Sequence, residues 1–398
     1  MDFLKYLKSV GIPILFLLFL FLLDPYSSAI KTGYLMIPTL LLFRGRTFFY
    51  NIDKDIIIIF AFTATYSMFT YFGENRGMQY LIVQATFPMF FYALGKMMIT
   101  PNLSNKKIIS LILFIGFIYS ISSLLSILTN LASGGLGQTD RLIPSFWTGE
   151  GESSTKVASY LIYNSIIPAI VVANRKRFGI LTKLILIAIF AISLVASFRL
   201  GSRTLIAISF VSLFASFAYI MYKQSLLDNF KLVVATLSLL IFIYLFVPIN
   251  WDSPIFSTLG HRLQSSSGSE STATAGNRTG LWADGLKNLF QHPLGWKYHS
   301  FHHNLWLDIP REATIVPLLF FLINNVLCYS SIKKAFKLSG GDIGFNVTIL
   351  LFFLSTLLLF FTEPVIEGNF FSIVVYCLFY GILRGYVINK EKEMGIES

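Results

Sequence analysis

The feature that most constrains this chain is the run LVVATLSLLIFIYLFVPI, Leu232–Ile249, together with others of its kind such as GIPILFLLFLFLL, Gly11–Leu23. A helix crossing the hydrocarbon core of a bilayer needs about 20 apolar residues. Within lipid only helices and closed barrels satisfy every backbone N–H and C=O. Hydrophobic residues make up 55% of the sequence and charged ones 13%, with mean hydropathy +0.68, against roughly 25% charged in soluble domains. The expected fold is therefore an all-α polytopic membrane protein, a single integral membrane domain over residues 1–398. Twelve spans are expected near 10–24, 28–43, 55–73, 78–99, 108–130, 157–173, 180–198, 204–222, 232–250, 314–330, 346–363 and 370–387. The second is interrupted by Pro38, and the first lacks the small-residue site of a cleaved signal.

Net charge +11 admits nucleic-acid binding, but in a membrane protein it reads as the positive-inside bias. With a cytoplasmic N-terminus, 20 of the 31 Lys and Arg residues fall in inside loops and 11 outside, which puts both termini in the cytoplasm. Seven of the 11 outside positives are arginine, against five of the 20 inside. Topology requires only charge, so the outer arginines suggest forked recognition of phosphate or carboxylate. Cys328 and Cys377 lie within apolar spans and form neither a disulfide framework nor a metal spacing. The sequence has no internal repeat and no ionisable residue near the middle of a span. Both absences weigh against a secondary transporter.

Polar chemistry then has two long outer loops, residues 131–156 and 251–313. The first carries Arg141, aromatics, Glu150 and Glu152; it is either a solvated loop or a carbohydrate-binding lip. In the second, Ser265–Asn277 is low in complexity. An amphipathic helix follows, with Asn277 as N-cap, an apolar face of Leu281/Trp282, Gly285/Leu286 and Leu289/Phe290, and Pro293 as its stop. Arg278 stands in its first turn, where free N–H groups favour an anion. Leu305/Trp306 and Ile309 have the spacing of an interfacial half-helix. In FRLGSRT, Arg199 and Arg203 are four apart and suited to one helical face at a boundary.

All five histidines (His261, His292, His299, His302 and His303) fall within 43 residues of the second loop. Three readings remain open on the residues alone. His299, His302 and His303 with Asp308 could form a metal shell; the histidines could be ordinary polar residues of a wet loop; or one could be a general acid/base.

RTGLWADGLKNLFQHPLGWKYHSFHHNLWLDIPREATIVPLLFF, Arg278–Phe321, resembles the signature segment of bacterial O-antigen polymerases and O-antigen ligases, the Wzy/WaaL superfamily. LGSRTLIAI, Leu200–Ile208, is similar to that family's Ser-Arg or Thr-Arg entry into a span, and DRLIPSFW, Asp140–Trp147, to its arginine before another. Members often carry glycine after the His-Asn helix, where this chain has DIPRE. The resemblance implies a GT-C-type glycosyltransferase fold in the bacterial inner membrane, with its active site facing the periplasm. The donor and acceptor would be undecaprenyl-diphosphate-linked glycans; no cofactor or metal is implied, and a chain-length regulator protein is an expected partner. Carried over by position, His303, Arg278 and Arg203 are the expected catalytic residues. Arg199, Asn304, Arg141, Trp282 and His302 are expected at the substrate. The expected function is an inverting polymerase of lipid-linked repeat units. A ligase delivering the chain to lipid A-core shares every motif, and a lipid-linked oligosaccharide flippase is the alternative from another class.

Overall fold

The computed structural model describes residues 10–74, 77–101, 103–135, 137–138, 140–246, 253–254, 257–264, 278–296, 302–363 and 365–396. Among them, eight helices are long and apolar enough to cross a membrane: Lys54–Phe72, Met78–Met98, Asn105–Ala132, Ile180–Arg199, Arg203–Lys223, Ile315–Leu338, Ile343–Thr362 and Phe371–Glu393. Each falls on one of the twelve expected runs, and the chain is a helical, multi-pass membrane protein.

Three of the four remaining runs differ for local reasons, and the fourth runs past the described residues. Ile12–Leu23 is apolar but only 12 residues long. Ala29–Tyr50 contains Pro38 and turns non-helical at Arg44. Leu226–Phe246 forms a helix, but the end of its run, residues 247–250, lies outside the described residues. The run 157–173 is broken into Ser154–Ser159, Ile162–Ser165 and Ile167–Ala173, the last begun by Pro168. Tyr160, Leu161, Tyr163 and Ile166 of this stretch are wholly buried among other helices. Its backbone can leave regular helix because protein, not lipid, surrounds it. Asn164 there donates to Ser120 Oγ (2.9 Å) and Ser193 Oγ (3.0 Å), joining three helices by hydrogen bonds.

The closest helix pair is Met78–Met98 against Phe371–Glu393. A Cβ on Gly381 would stand 2.0 Å from the Tyr92 carbonyl oxygen, and one on Gly95 2.2 Å from that of Leu378. With lipid as apolar as leucine, such backbone approach supplies association through dispersion, and only glycine permits it. Towards one end of this pair, Lys96 meets Asp53 at 2.6 Å and Arg384 meets Asp55 at 3.3 Å. These ion pairs neutralise otherwise costly buried charge.

The first loop holds one departure from all-helical structure. Leu142–Pro144 (β1) and Gly151–Ser153 (β2) pair antiparallel, with Ile143 opposite Glu152. Ile143 is buried and Glu152 bridges Lys156 at 2.8 Å.

Candidate functional site

The second loop forms three helices among its described residues: Ser257–Gln264, Arg278–Gln291 and Leu305–Glu312. The expected amphipathic helix thus exists and ends before Pro293, while its proposed cap Asn277 and the low-complexity stretch lie outside the described residues. Its inner face is narrower than the sequence suggested. Gly285 is buried and Leu281, Trp282 and Leu289 are half-buried, whereas Leu286 and Phe290 are exposed.

Gly285 is where this helix meets the histidines. A Cβ there would lie 2.6 Å from His302 Cδ2 and 3.0 Å from Leu307 Cδ1. Trp282 Nε1 donates to the His302 carbonyl at 2.9 Å. The buried His302 ring is held by Asp308, with Nδ1 3.3 Å from Oδ1, and stacks edge-on against Trp296. Asp308 also accepts from the backbone N–H groups of His302 (2.9 Å) and Asn304 (3.1 Å). Arg311, buried beside Asp308 and Glu312, completes an ionic knot under the loop. Trp282 and His302, both expected at the substrate, are thus joined in the scaffold of this loop. Asn304 caps the Leu305–Glu312 helix, its Oδ1 accepting from the Trp306 N–H at 3.0 Å.

Between these fixed neighbours stands His303. Its φ is +51°, the only positive value outside glycine among the described residues. The left-handed region costs a residue with a Cβ roughly 1–2 kcal/mol, and such cost concentrates at functional positions. The loop's hydrogen bonds on either side, at His302 and Asn304, fix the backbone around a half-buried imidazole.

Two charges held on other helices, Arg278 and Glu363, act on it. Arg278, in the first turn of its helix, pairs with Glu363 Oε1 at 3.2 Å. Glu363, buried just past the end of the Ile343–Thr362 helix, also accepts from Thr204 Oγ1 at 3.1 Å. Thr204 follows Arg203, the first residue of the Arg203–Lys223 helix, whose N-terminus Ser202 caps. The site therefore assembles His303, Arg278, Glu363 and the Arg203–Thr204 helix start. Burial, reinforced by the Arg278 charge, lowers the His303 pKa below its ordinary value; Glu363 and Asp308 partly oppose that. A lowered pKa favours the neutral imidazole that a general base requires. Two buried polar atoms at this point, His303 Nδ1 and Glu363 Oε2, have no hydrogen-bond partner among the described residues.

Arg199 does not share a helical face with Arg203. One helix ends at Arg199, Gly201 turns at φ +58°, and a second helix begins at Arg203. The buried Arg199 guanidinium donates to Asn130 Oδ1 (3.0 Å), the Asp140 carbonyl (2.8 Å) and Gln138 Oε1 (3.4 Å). It fastens the 131–156 loop to the bundle. Arg141, half-buried, leads into β1. Of the remaining histidines, His261 and His292 are exposed, and His299 lies outside the described residues. No three His, Cys, Asp or Glu side chains gather at metal-binding distance among the described residues.

Glu363 was not foreseen. At the end of an apolar run it reads as an ordinary boundary carboxylate, and only its 85-residue separation from Arg278, closed by the fold, gives it a role.

Architecture and site together define a helical membrane protein with a half-buried, near-neutral histidine beside a carboxylate-held arginine. No protein-family model matches the chain, and no curated protein matches it.

Proposed function

We propose that this protein is an inverting membrane glycosyltransferase, which extends a polysaccharide by moving the growing chain from undecaprenyl diphosphate to the end of a new lipid-linked repeat unit. On this reading the twelve apolar runs form a GT-C-type bundle in a bacterial inner membrane. Both termini are cytoplasmic, and the His303 site opens to the periplasm. The observation that carries the reading is that Arg278 and Glu363 both act on His303, with Glu363 tied in turn to the Arg203 helix start through Thr204, because glycan transfer from a lipid diphosphate needs both a base and an anion clamp.

In the reaction, a hydroxyl oxygen of the acceptor sugar attacks the anomeric carbon of the donor chain. The bond from that carbon to the phosphate oxygen breaks, and its electron pair leaves with the lipid diphosphate. His303 takes the hydroxyl proton; general base catalysis of this kind contributes about 10²–10⁴ in rate. On this reading Arg278 and Arg203 bind the negative charge that grows on the leaving diphosphate. Removing one preorganised donor commonly costs about 10²–10³. Glu363 aims the Arg278 guanidinium, and Thr204 fixes Glu363. Attack from the face opposite the leaving group inverts the anomeric configuration.

Deletion of the gene in its native host, followed by gel display of surface glycan, tests the function. The polymerase reading requires single repeat units on lipid A-core in place of a ladder. Long chains retained on the lipid carrier would instead assign a ligase, which employs the same donor chemistry. An unchanged ladder would refute both.

A further inference from the structure

A cavity of about 670 Å³ opens at the far end of the bundle from His303. It lies among the start of the Asn105–Ala132 helix, the start of Ile343–Thr362 and the end of Arg203–Lys223. The opposite ends of the last two helices carry Glu363 and Thr204. Four cations line it (Lys106, Arg175, Lys176 and Arg177), with Asp228 the one carboxylate in the lining. Arg177 is committed to Asp342 at 2.6 Å and to Asn174 Oδ1 at 3.2 Å. Lys106, Arg175 and Lys176 are exposed and form no ion pair among the described residues.

The cavity does not end at the cations. A second hollow of about 220 Å³ shares Lys106 and Arg177 with it and continues past Phe178 to Leu113 and Leu186. A third recess begins at those two leucines and reaches Phe117, Ile167, Ile189 and Phe352. Asn164 at its depth is already engaged with Ser120 and Ser193. Through these shared lining residues the basic mouth leads into an apolar slot between the Asn105–Ala132 and Ile180–Arg199 helices, which narrows to about 10 Å³ at its innermost recess. The outer side of Ile180–Arg199 is largely exposed, so the groove borders the bilayer.

We propose that this groove binds one anionic phospholipid of the surrounding membrane, its phosphate against Lys106, Arg175 and Lys176 and one acyl chain in the slot. Charge complementarity selects the head, and basic pockets between transmembrane helices are suited to anionic headgroups. The apolar continuation selects a lipid over a free anion, which would occupy the mouth alone. Positive-inside topology accounts for the number of cations but not for a slot leading away from them.

The test is native mass spectrometry of the full chain released from detergent holding equimolar phosphatidylglycerol and phosphatidylcholine. The proposal requires one retained phosphatidylglycerol, favoured over phosphatidylcholine and stable to millimolar inorganic phosphate. Each basic residue near an anionic headgroup is worth about fivefold in affinity, so Lys106→Gln/Arg175→Gln/Lys176→Gln should weaken retention about a hundredfold. Leu186→Trp fills the slot without altering charge or topology and should also abolish retention. Equal retention of both lipids, indifference to Leu186→Trp, or displacement by inorganic phosphate would each overturn the proposal, the last assigning the mouth to a free anion.

Discussion

Replacing Glu363 by glutamine keeps the length of the side chain and its contact with Thr204, and removes one negative charge from beside Arg278 and His303. Arg278 then exchanges a charge-assisted hydrogen bond, worth about 1.5–3 kcal/mol, for a neutral one of about 0.5–1.5 kcal/mol. The Arg278 side chain is 21% exposed, so solvent screens part of that difference. Roughly 1 kcal/mol remains, or about fivefold in rate if it is lost from transition-state positioning. The second effect is on pH dependence. A base must be neutral, so activity falls as pH drops through the His303 pKa, which burial and Arg278 hold below the ordinary histidine value. Glu363 opposes that lowering; without its charge the imidazole is harder to protonate and the acidic limb moves to lower pH. Arg278→Gln removes a cation that lowers the same pKa, so its acidic limb moves to higher pH. The assay is the pH profile of kcat/KM for each variant with a lipid-diphosphate-linked repeat unit in detergent. Limbs that move in the same direction, or that both stay at the wild-type position, would refute the electrostatic assignment of His303.

Three other outcomes follow from the geometry. His303→Ala and His303→Gly should be equally inactive, yet the glycine variant should be more stable to thermal unfolding by about 1 kcal/mol, because φ +51° burdens any residue with a Cβ; equal melting temperatures would remove the strain argument. Gly285→Ala, which leaves His303 and the arginines untouched, should destabilise the protein by about 1–3 kcal/mol and depress activity, since the new methyl group must displace the His302 ring 2.6 Å away; wild-type behaviour would show that the loop yields. Arg199→Ala should lower thermal stability more than Arg203→Ala, because it severs two hydrogen bonds tying the 131–156 loop and a third to Asn130 of the Asn105–Ala132 helix, while Arg203→Ala should lose turnover with the fold retained; the reverse ranking would return Arg199 to the substrate.

The eight spans were legible because a run of about 20 apolar residues has few other ways to bury itself. The 157–173 run met the same criterion of composition but is enclosed by other helices, and Pro168 and the engagements of Asn164 break its regularity. Arg278 and His303 were singled out by a resemblance, and the fold places the Arg278 charge close enough to act on the imidazole. Their fixing was not legible: Asn304 looked like a substrate ligand, while its place one residue before a half-helix is equally that of a cap, which the structure shows it to be. Arg199 and Arg203 have helical spacing, but Gly201 between them turns the chain, so one sews a loop to the bundle and the other opens a new helix. Glu363 carries no local signal at all, since its meaning arises only when Thr204 and Arg278 are brought to it.

On the proposed function, His303 is the base in glycan transfer from a lipid diphosphate. The most direct measurement uses the purified full chain with an undecaprenyl-diphosphate-linked repeat unit, following chain lengthening by gel and the anomeric configuration of the new bond by NMR. The wild-type protein should lengthen the chain with inversion, and His303→Ala should form no product while remaining folded. Retention of configuration, or chain growth by His303→Ala at the wild-type rate, would contradict the account.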